Sequence, residues 1–192
     1  MKPFVGCFFG SFNPVHNGHV QAIDNCVKKL SLDEVLVIVS PLNPLKQRPL
    51  TDPSHRLEMT KLAFENIPKV RVSDIEFGMP KPNYTINTLK KLIQNYPNKR
   101  LALIIGQDNS VDFHRWKDYT QILDLLEVYA HNRDVSLHFS NTKNLHKIRL
   151  LTFDSIPISS TQIRNLIQQN KPFEPLVPPK VADYIHTLQL YR

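Results

Sequence analysis

A six-residue apolar run, Phe4-Val5-Gly6-Cys7-Phe8-Phe9, gives way across Gly10-Ser11-Phe12-Asn13-Pro14-Val15-His16-Asn17-Gly18-His19 to an amphipathic stretch over 18–30, with Val20, Ile23, Val27 and Leu30 on one face. A short apolar run of this kind reads as a strand buried on both sides, and the spacing after it reads as a helix. The ten-residue motif therefore sits where a strand turns into a helix. At such a junction the free N–H groups and the positive dipole end of the helix attract anions, and two imidazoles add donors of their own. Asn13-Pro14 favours the turn that ends the strand, and Gly18 leaves room for close approach of backbone. The charge pattern suits a nucleotide phosphate.

The same alternation continues along the chain. Apolar, largely β-branched runs recur at 35–39, 101–105 and 148–151, with a shorter one at 128–130. Between them lie helical patterns: 55–65 with Ser54 as the expected cap, 86–94 with Thr85 as the expected cap, and 118–126. This β-α-β-α order predicts an α/β protein, a single doubly wound Rossmann-like domain over 1–192 with a mostly parallel central sheet and a C-terminal helical segment. In such a sheet ligands bind beyond the carboxyl ends of the strands, at the point where the strand order reverses.

Composition narrows the classes. No apolar run reaches the roughly 18–20 residues that cross a bilayer, and Met1-Lys2-Pro3 leads directly into a strand, so no membrane partner and a cytoplasmic location are expected. The two cysteines, Cys7 and Cys26, lack C-x-x-C spacing and read as packed, reduced thiols. A formal net charge of +7 suits polyanions, but the basic residues are dispersed without aromatic interleaving, so nucleic acid is not expected as a partner. Neither G-x-G-x-x-G nor G-x-x-x-x-G-K-[ST] occurs, which argues against hydride-transfer dinucleotide sites and P-loop chemistry. His16 and His19 alone do not make a metal site, because further ligands at suitable spacing are missing; no protein metal ligands are assigned.

The string GSFNPVHNGH resembles the H-x-G-H signature of the nucleotidyltransferase superfamily in its G-[ST]-F-[DN]-P-x-H-x-G-H form. Ile158-Ser159-Ser160-Thr161-Gln162-Ile163-Arg164 resembles the I-S-S-T-x-I-R signature of the same group, placed before a helix expected over 161–169. Similarity extends to Lys81-Pro82-Asn83-Tyr84-Thr85, Gly106-Gln107-Asp108, His114-Arg115-Trp116, Leu176-Val177-Pro178 and 181–185, nearly the whole chain, and points to the nicotinate-nucleotide adenylyltransferase family. The resemblance implies catalytic roles for His16, His19 and Arg164. It implies ATP contacts from Gly10, Ser11, Phe12, His16, Gly18, His19, Gly106, Asp108, Ser159, Ser160, Thr161 and Arg164. On the acceptor side it implies Asn43, Lys46, Tyr84, Thr85, Trp116 and Arg133, the aromatic rings stacking on a pyridine.

Several of these residues also have a purely local reading. Ser160 or Thr161 caps a helix in any case, Trp116 suits a core, Lys46 suits a solvated loop, and Asp108 suits a strand-end turn. Two departures from the family pattern stand out. Phe9 replaces a glycine common before Gly10-Ser11, and His131-Asn132-Arg133-Asp134 replaces an Arg-Pro-Gly-like segment.

The implied reaction is transfer of AMP from ATP, with Mg²⁺, to nicotinate mononucleotide, giving nicotinate adenine dinucleotide and pyrophosphate. Nicotinamide mononucleotide is the nearest alternative acceptor, followed by phosphopantetheine or cytidylyl chemistry. A noncatalytic nucleotide sensor, or an RNA-binding relative of class I aminoacyl-tRNA synthetases, is the alternative of a different class. Oligomeric state stays open, a homo-oligomer included.

Overall fold

The computed structural model describes residues 2–44, 50–106, 109–110, 112–132, 145–153 and 156–192. Six strands form one wholly parallel sheet: β1 (Phe4–Gly10), β2 (Glu34–Val39), β3 (Val70–Ser73), β4 (Arg100–Gly106), β5 (Glu127–Asn132) and β6 (Arg149–Thr152). Their order is β3-β2-β1-β4-β5-β6. The chain thus winds outward from β1 in one direction, then returns to β4 and winds in the other, which opens a crevice between the ends of β1 and β4.

Alternate residues of β1 face opposite layers. Phe8 packs with α1 (Asn17–Leu30), α2 (Pro53–Phe64), α5 (Ser160–Gln168) and α6 (Pro179–Thr187), in a core containing Ile23, Met59, Ile163 and Val181. Val5 and Cys7 face α3 (Thr85–Asn95) and α4 (Tyr119–Leu125), in a core containing Leu89, Leu103 and Ile122. Such two-sided burial explains why β1, β2 and β4 are continuous apolar runs rather than alternating ones. Cys7 and Cys26 are free and buried, and burial pushes both thiols up to about 12, which keeps them inert.

Three expected caps lie elsewhere. Pro53 takes the first helical position of α2, so Asp52 is the cap and accepts from Ser54 N at 2.8 Å; Ser54 is already inside the helix. At α3 the extended residue is Tyr84, whose carbonyl accepts from Asn87 N at 3.0 Å, and Thr85 begins the helix. At α5 the cap is Ser159, whose Oγ accepts from Gln162 N at 3.1 Å, which releases Ser160 and Thr161 for other contacts. The sequence pattern also missed β3: it does alternate, with Val70 and Val72 against the core and Arg71 exposed between them, but over only four residues at the sheet edge, too short a stretch to stand out.

Candidate active site

The loop from β1 into α1 is built around its own side chains. A Cβ on Gly10 would stand 2.6 Å from Cζ of Phe12, and Phe12 itself lies at φ 46 with its ring 2 % exposed. A Cβ on Gly18 would meet the His16 ring at 3.1 Å. Both glycines therefore make room for the aromatic residues of the motif, a more specific reason than open access for a ligand. The Phe12 ring stands edge-on to His19 at 5.1 Å between centroids, and the His16 and His19 rings lie 3.7 Å apart.

His16 is the N-cap of α1 and His19 occupies its third position. The backbone N–H of His16 donates to Nδ1 of His19 at 3.2 Å. Because Nδ1 is an acceptor here, a neutral His19 carries its proton on Nε2 and presents a donor there. His16, at 5 % exposure, lies deeper than half-buried His19.

The second motif docks directly on the first. Ser160 Oγ donates to the Pro14 carbonyl at 2.8 Å, and Arg164 Nη1 donates to the Asn13 carbonyl at 2.7 Å while Nη2 reaches Thr161 Oγ1 at 3.0 Å. Further along, Ile156 N donates to Gln21 Oε1 at 2.7 Å. The N-termini of α1 and α5 thus come together beyond the strand ends, and their positive dipole ends and first-turn N–H groups share one neighbourhood. Ser11 lies in this loop, and its buried Oγ has no hydrogen-bond partner among the described residues.

Two buried charges brace the site, and sequence reasoning passed over both. Arg56, 0 % exposed, donates to the carbonyls of Ser11 at 2.6 Å and of Ser40, Pro41 and Thr51 at 2.8 Å each, joining the loops after β1 and β2. It shares the buried face of α2 with Met59, Thr60 and Ala63, a face too mixed in polarity to mark it in the sequence. Glu76, also 0 % exposed, accepts from Ser40 Oγ and from Thr88 Oγ1 at 2.7 Å each. Burial raises its carboxyl above the usual range, and the two hydroxyls partly offset that. No periodicity marks Glu76, which lies in a single 3₁₀ turn over Ile75–Gly78.

On the α3 and α4 side, buried Asn83 donates from Nδ2 to the Glu76 carbonyl at 3.1 Å and accepts at Oδ1 from Leu42 N at 3.2 Å. These bonds hold the loop of half-buried Asn43 against Tyr84 and Thr85. Tyr84 and Trp116 both border the same core, the Trp116 ring tilted against buried Phe113 at 5.1 Å. The Lys117 ammonium lies 4.4 Å from the centre of the Tyr84 ring, so the two segments meet. Gly106 closes β4 in the crevice, where a Cβ would approach His131 Nε2 to 3.3 Å. Lys46, Asp108 and Arg133 lie outside the described residues. Gly10, Ser11, Phe12, His16, Gly18, His19, Ser159, Ser160, Thr161 and Arg164 cluster at the helix ends, while Asn43, Tyr84, Thr85 and Trp116 form a separate shelf on the other side of the sheet. Among the described residues no group of three or more His, Cys, Asp or Glu side chains is placed to hold a metal ion, and no helix is long and apolar enough to cross a membrane.

Known proteins share this plan. The family model for cytidylyltransferase-like proteins matches residues 7–166. A protein of Flavobacterium johnsoniae named "Probable nicotinate-nucleotide adenylyltransferase" is 39 % identical over 191 residues, covering 98 % of either chain. One of the same name from Cytophaga hutchinsonii is 40 % identical over 188 residues, 97 % of either chain. Among solved structures, the nicotinic acid mononucleotide adenylyltransferase of Plasmodium falciparum, complexed with NaAD, superposes with a TM-score of 0.82 at 20 % identity over 98 % of this chain and 97 % of that one, a likeness of fold. The two motifs, the wholly parallel sheet that brings them together and the end-to-end similarity to those relatives lead to one conclusion: the chain belongs to the nicotinate-nucleotide adenylyltransferase family, within the cytidylyltransferase-like proteins.

Proposed function

We propose that this chain transfers AMP from ATP to nicotinate mononucleotide, forming nicotinate adenine dinucleotide and pyrophosphate, and that residues 1–192 act in this as one nucleotidyltransferase domain. The observation that carries the reading is the docking of α5 on the histidine motif through Asn13 and Pro14, which concentrates phosphate-binding groups at the β1–β4 crevice.

In the proposed reaction a phosphate oxygen of the acceptor attacks the α-phosphorus of ATP in line. The new O–P bond forms as the bond to the bridging oxygen breaks, and pyrophosphate departs with that electron pair. An ionised phosphate attacks without deprotonation, so no side chain serves as general base. The work of the protein is to position the phosphates and to stabilise the charge that develops between them. His19 donates from Nε2, with His16 behind it as the inner donor. The first-turn N–H groups of Ser160 and Thr161 contact triphosphate oxygens, and Arg164 acts from the junction of the two motifs with its fork of donors.

Imidazole, guanidinium, hydroxyl and N–H groups are a donor set for anions. Mg²⁺ in this reading therefore arrives on the phosphate oxygens of ATP and supplies neutralising charge. The shelf of Asn43, Tyr84, Thr85 and Trp116 receives the acceptor, a flat heterocycle stacking on an aromatic face. Neither nucleic acid nor a membrane has a part in the proposed reaction, which is assigned to the cytoplasm.

The test is release of pyrophosphate from Mg²⁺-ATP in parallel reactions with nicotinate mononucleotide, nicotinamide mononucleotide and phosphopantetheine, with identification of the adenylylated product. A strong preference for the first supports the proposal. Preference for either of the others replaces the acceptor, and silence with all three removes the enzymatic reading.

A further inference from the structure

The segment after α6 returns to the histidine motif. Beyond Thr187 the chain turns, with Gln189 N bonded to the His186 carbonyl at 3.2 Å and Leu190 N to the Ile185 carbonyl at 3.1 Å. The turn delivers Tyr191, half-buried against the α1 core, to the loop between β1 and α1. There the Tyr191 hydroxyl donates to Asn13 Oδ1 at 3.1 Å, a bond between positions 178 apart in the chain.

Asn13 is where several elements meet. It is 5 % exposed; its Oδ1 also accepts from Thr51 N at 3.3 Å, and its carbonyl is the one that Arg164 holds at 2.7 Å. One amide side chain and its carbonyl thus tie the segment entering α2, helix α5 and the returning tail to a point three residues before His16. Tyr191 holds a left-handed backbone at φ 69, a conformation that a non-glycine residue keeps only where its surroundings determine it. Burial pushes its hydroxyl up to about 12, outweighing the nearby Thr51, Arg56 and Arg164, so it stays a proton donor at neutral pH.

We propose that Tyr191 is a positioning residue for the transfer reaction, fixing the side chain of Asn13 and, through it, the placement of the His16–His19 loop relative to Arg164. The role rests on the adenylyl-transfer reading of the site. Tyr191 touches no reacting group; it acts through Asn13.

The variant Tyr191→Phe removes the hydroxyl and keeps the ring. Loss of one hydrogen bond on which the loop depends corresponds to about a two- to tenfold fall in kcat, with KM for ATP changing by less than about twofold because the phosphate donors themselves remain. Amide hydrogen exchange over residues 10–19 of the free protein should quicken in the variant, whether or not turnover is measured. In an Asn13→Ala background the effect of Tyr191→Phe on kcat should vanish, since the acceptor is gone. Should Asn13→Ala fail to fold, Asn13→Asp serves instead: a carboxylate accepts the hydroxyl more strongly than an amide oxygen, so the Tyr191→Phe effect should grow, and an effect of unchanged size overturns the proposal.

Unchanged kcat and unchanged exchange in Tyr191→Phe overturn the proposal, as does a full effect retained in Asn13→Ala. A wild-type protein inactive with every acceptor removes the adenylyl-transfer reading instead, and the exchange measurement then decides alone whether Tyr191 holds the loop.

Discussion

Replacing Gly10 with alanine tests whether the motif loop is a packed object or an open cradle. None of the described glycines has a positive φ, so the substitution meets no backbone penalty and its effect is one of space. The new methyl carbon would stand 2.6, 2.8 and 2.9 Å from three carbons of the Phe12 ring, where carbon atoms at rest keep about 3.5–4.0 Å. The ring must retreat by roughly 1 Å, and it is 2 % exposed with the His19 imidazole at its edge. Overpacking of this kind costs about 1–3 kcal/mol. For a chain of this size that is roughly 2–12 °C in melting temperature.

The retreat presses on His19, and a misplacement of about 1 Å in a catalytic group lowers turnover by up to about 10²-fold. Thermal melts and pyrophosphate release on Gly10→Ala should therefore both fall, and a double variant with Phe12→Leu should recover stability by opening space. If Gly10→Ala melts like the wild type and turns over within twofold of it, the glycine is not there for Phe12 and the steric reasoning is wrong.

Other perturbations probe separate parts of the site. His19→Ala should lower turnover by about 10²–10³-fold and cost about 1 kcal/mol through the lost bond to His16 N; near-normal activity would remove the proposed mechanism. Arg56→Met strands four carbonyls, each worth about 1–3 kcal/mol when left unsatisfied, so melting should fall furthest of all. Arg56→Lys should recover only part of that loss, since an ammonium cannot reproduce the planar fork, and a lysine variant as stable as wild type would refute the bracing role. Glu76 gives a pH signature: its carboxyl is raised by burial above the ordinary 4.5, so its contribution to stability is fully present below that value and is lost as pH rises through the folded-state pKa. The melting temperature of Glu76→Gln relative to wild type should therefore climb between acidic and neutral pH, and a flat or falling difference would contradict the burial effect.

Five of the six strands and the two motifs were legible because their signals are local. An apolar run such as that of β1 or β4 announces two-sided burial, and H-x-G-H and I-S-S-T carry their chemistry in consecutive residues. Helix starts were legible to within one or two residues, because the choice between Asp52 and Ser54, or between Ser159 and Ser160, depends on which residue keeps an extended backbone. Arg56 and Glu76 escaped for another reason. A charged side chain reads as solvated until the fold surrounds it with carbonyls or hydroxyls, and those partners come from distant segments. Tyr84 and Trp116 were assigned to the acceptor side on family resemblance; the contact of the Lys117 ammonium with the Tyr84 ring joins two loops, which no local pattern encodes.

The bond between Arg164 and the Asn13 carbonyl joins positions 151 apart, and that between Ser160 and Pro14 joins positions 146 apart. Contacts of such long sequence separation form late, because the entropy of closing the intervening loop opposes them until the parallel sheet between is in place. A nascent chain that has only its first strand and helix therefore holds the histidines but lacks half of the proposed anion site. Under the proposed function, competence to bind ATP is then a report on folding itself, and nucleotide should protect the whole sheet against unfolding rather than the motif loop alone.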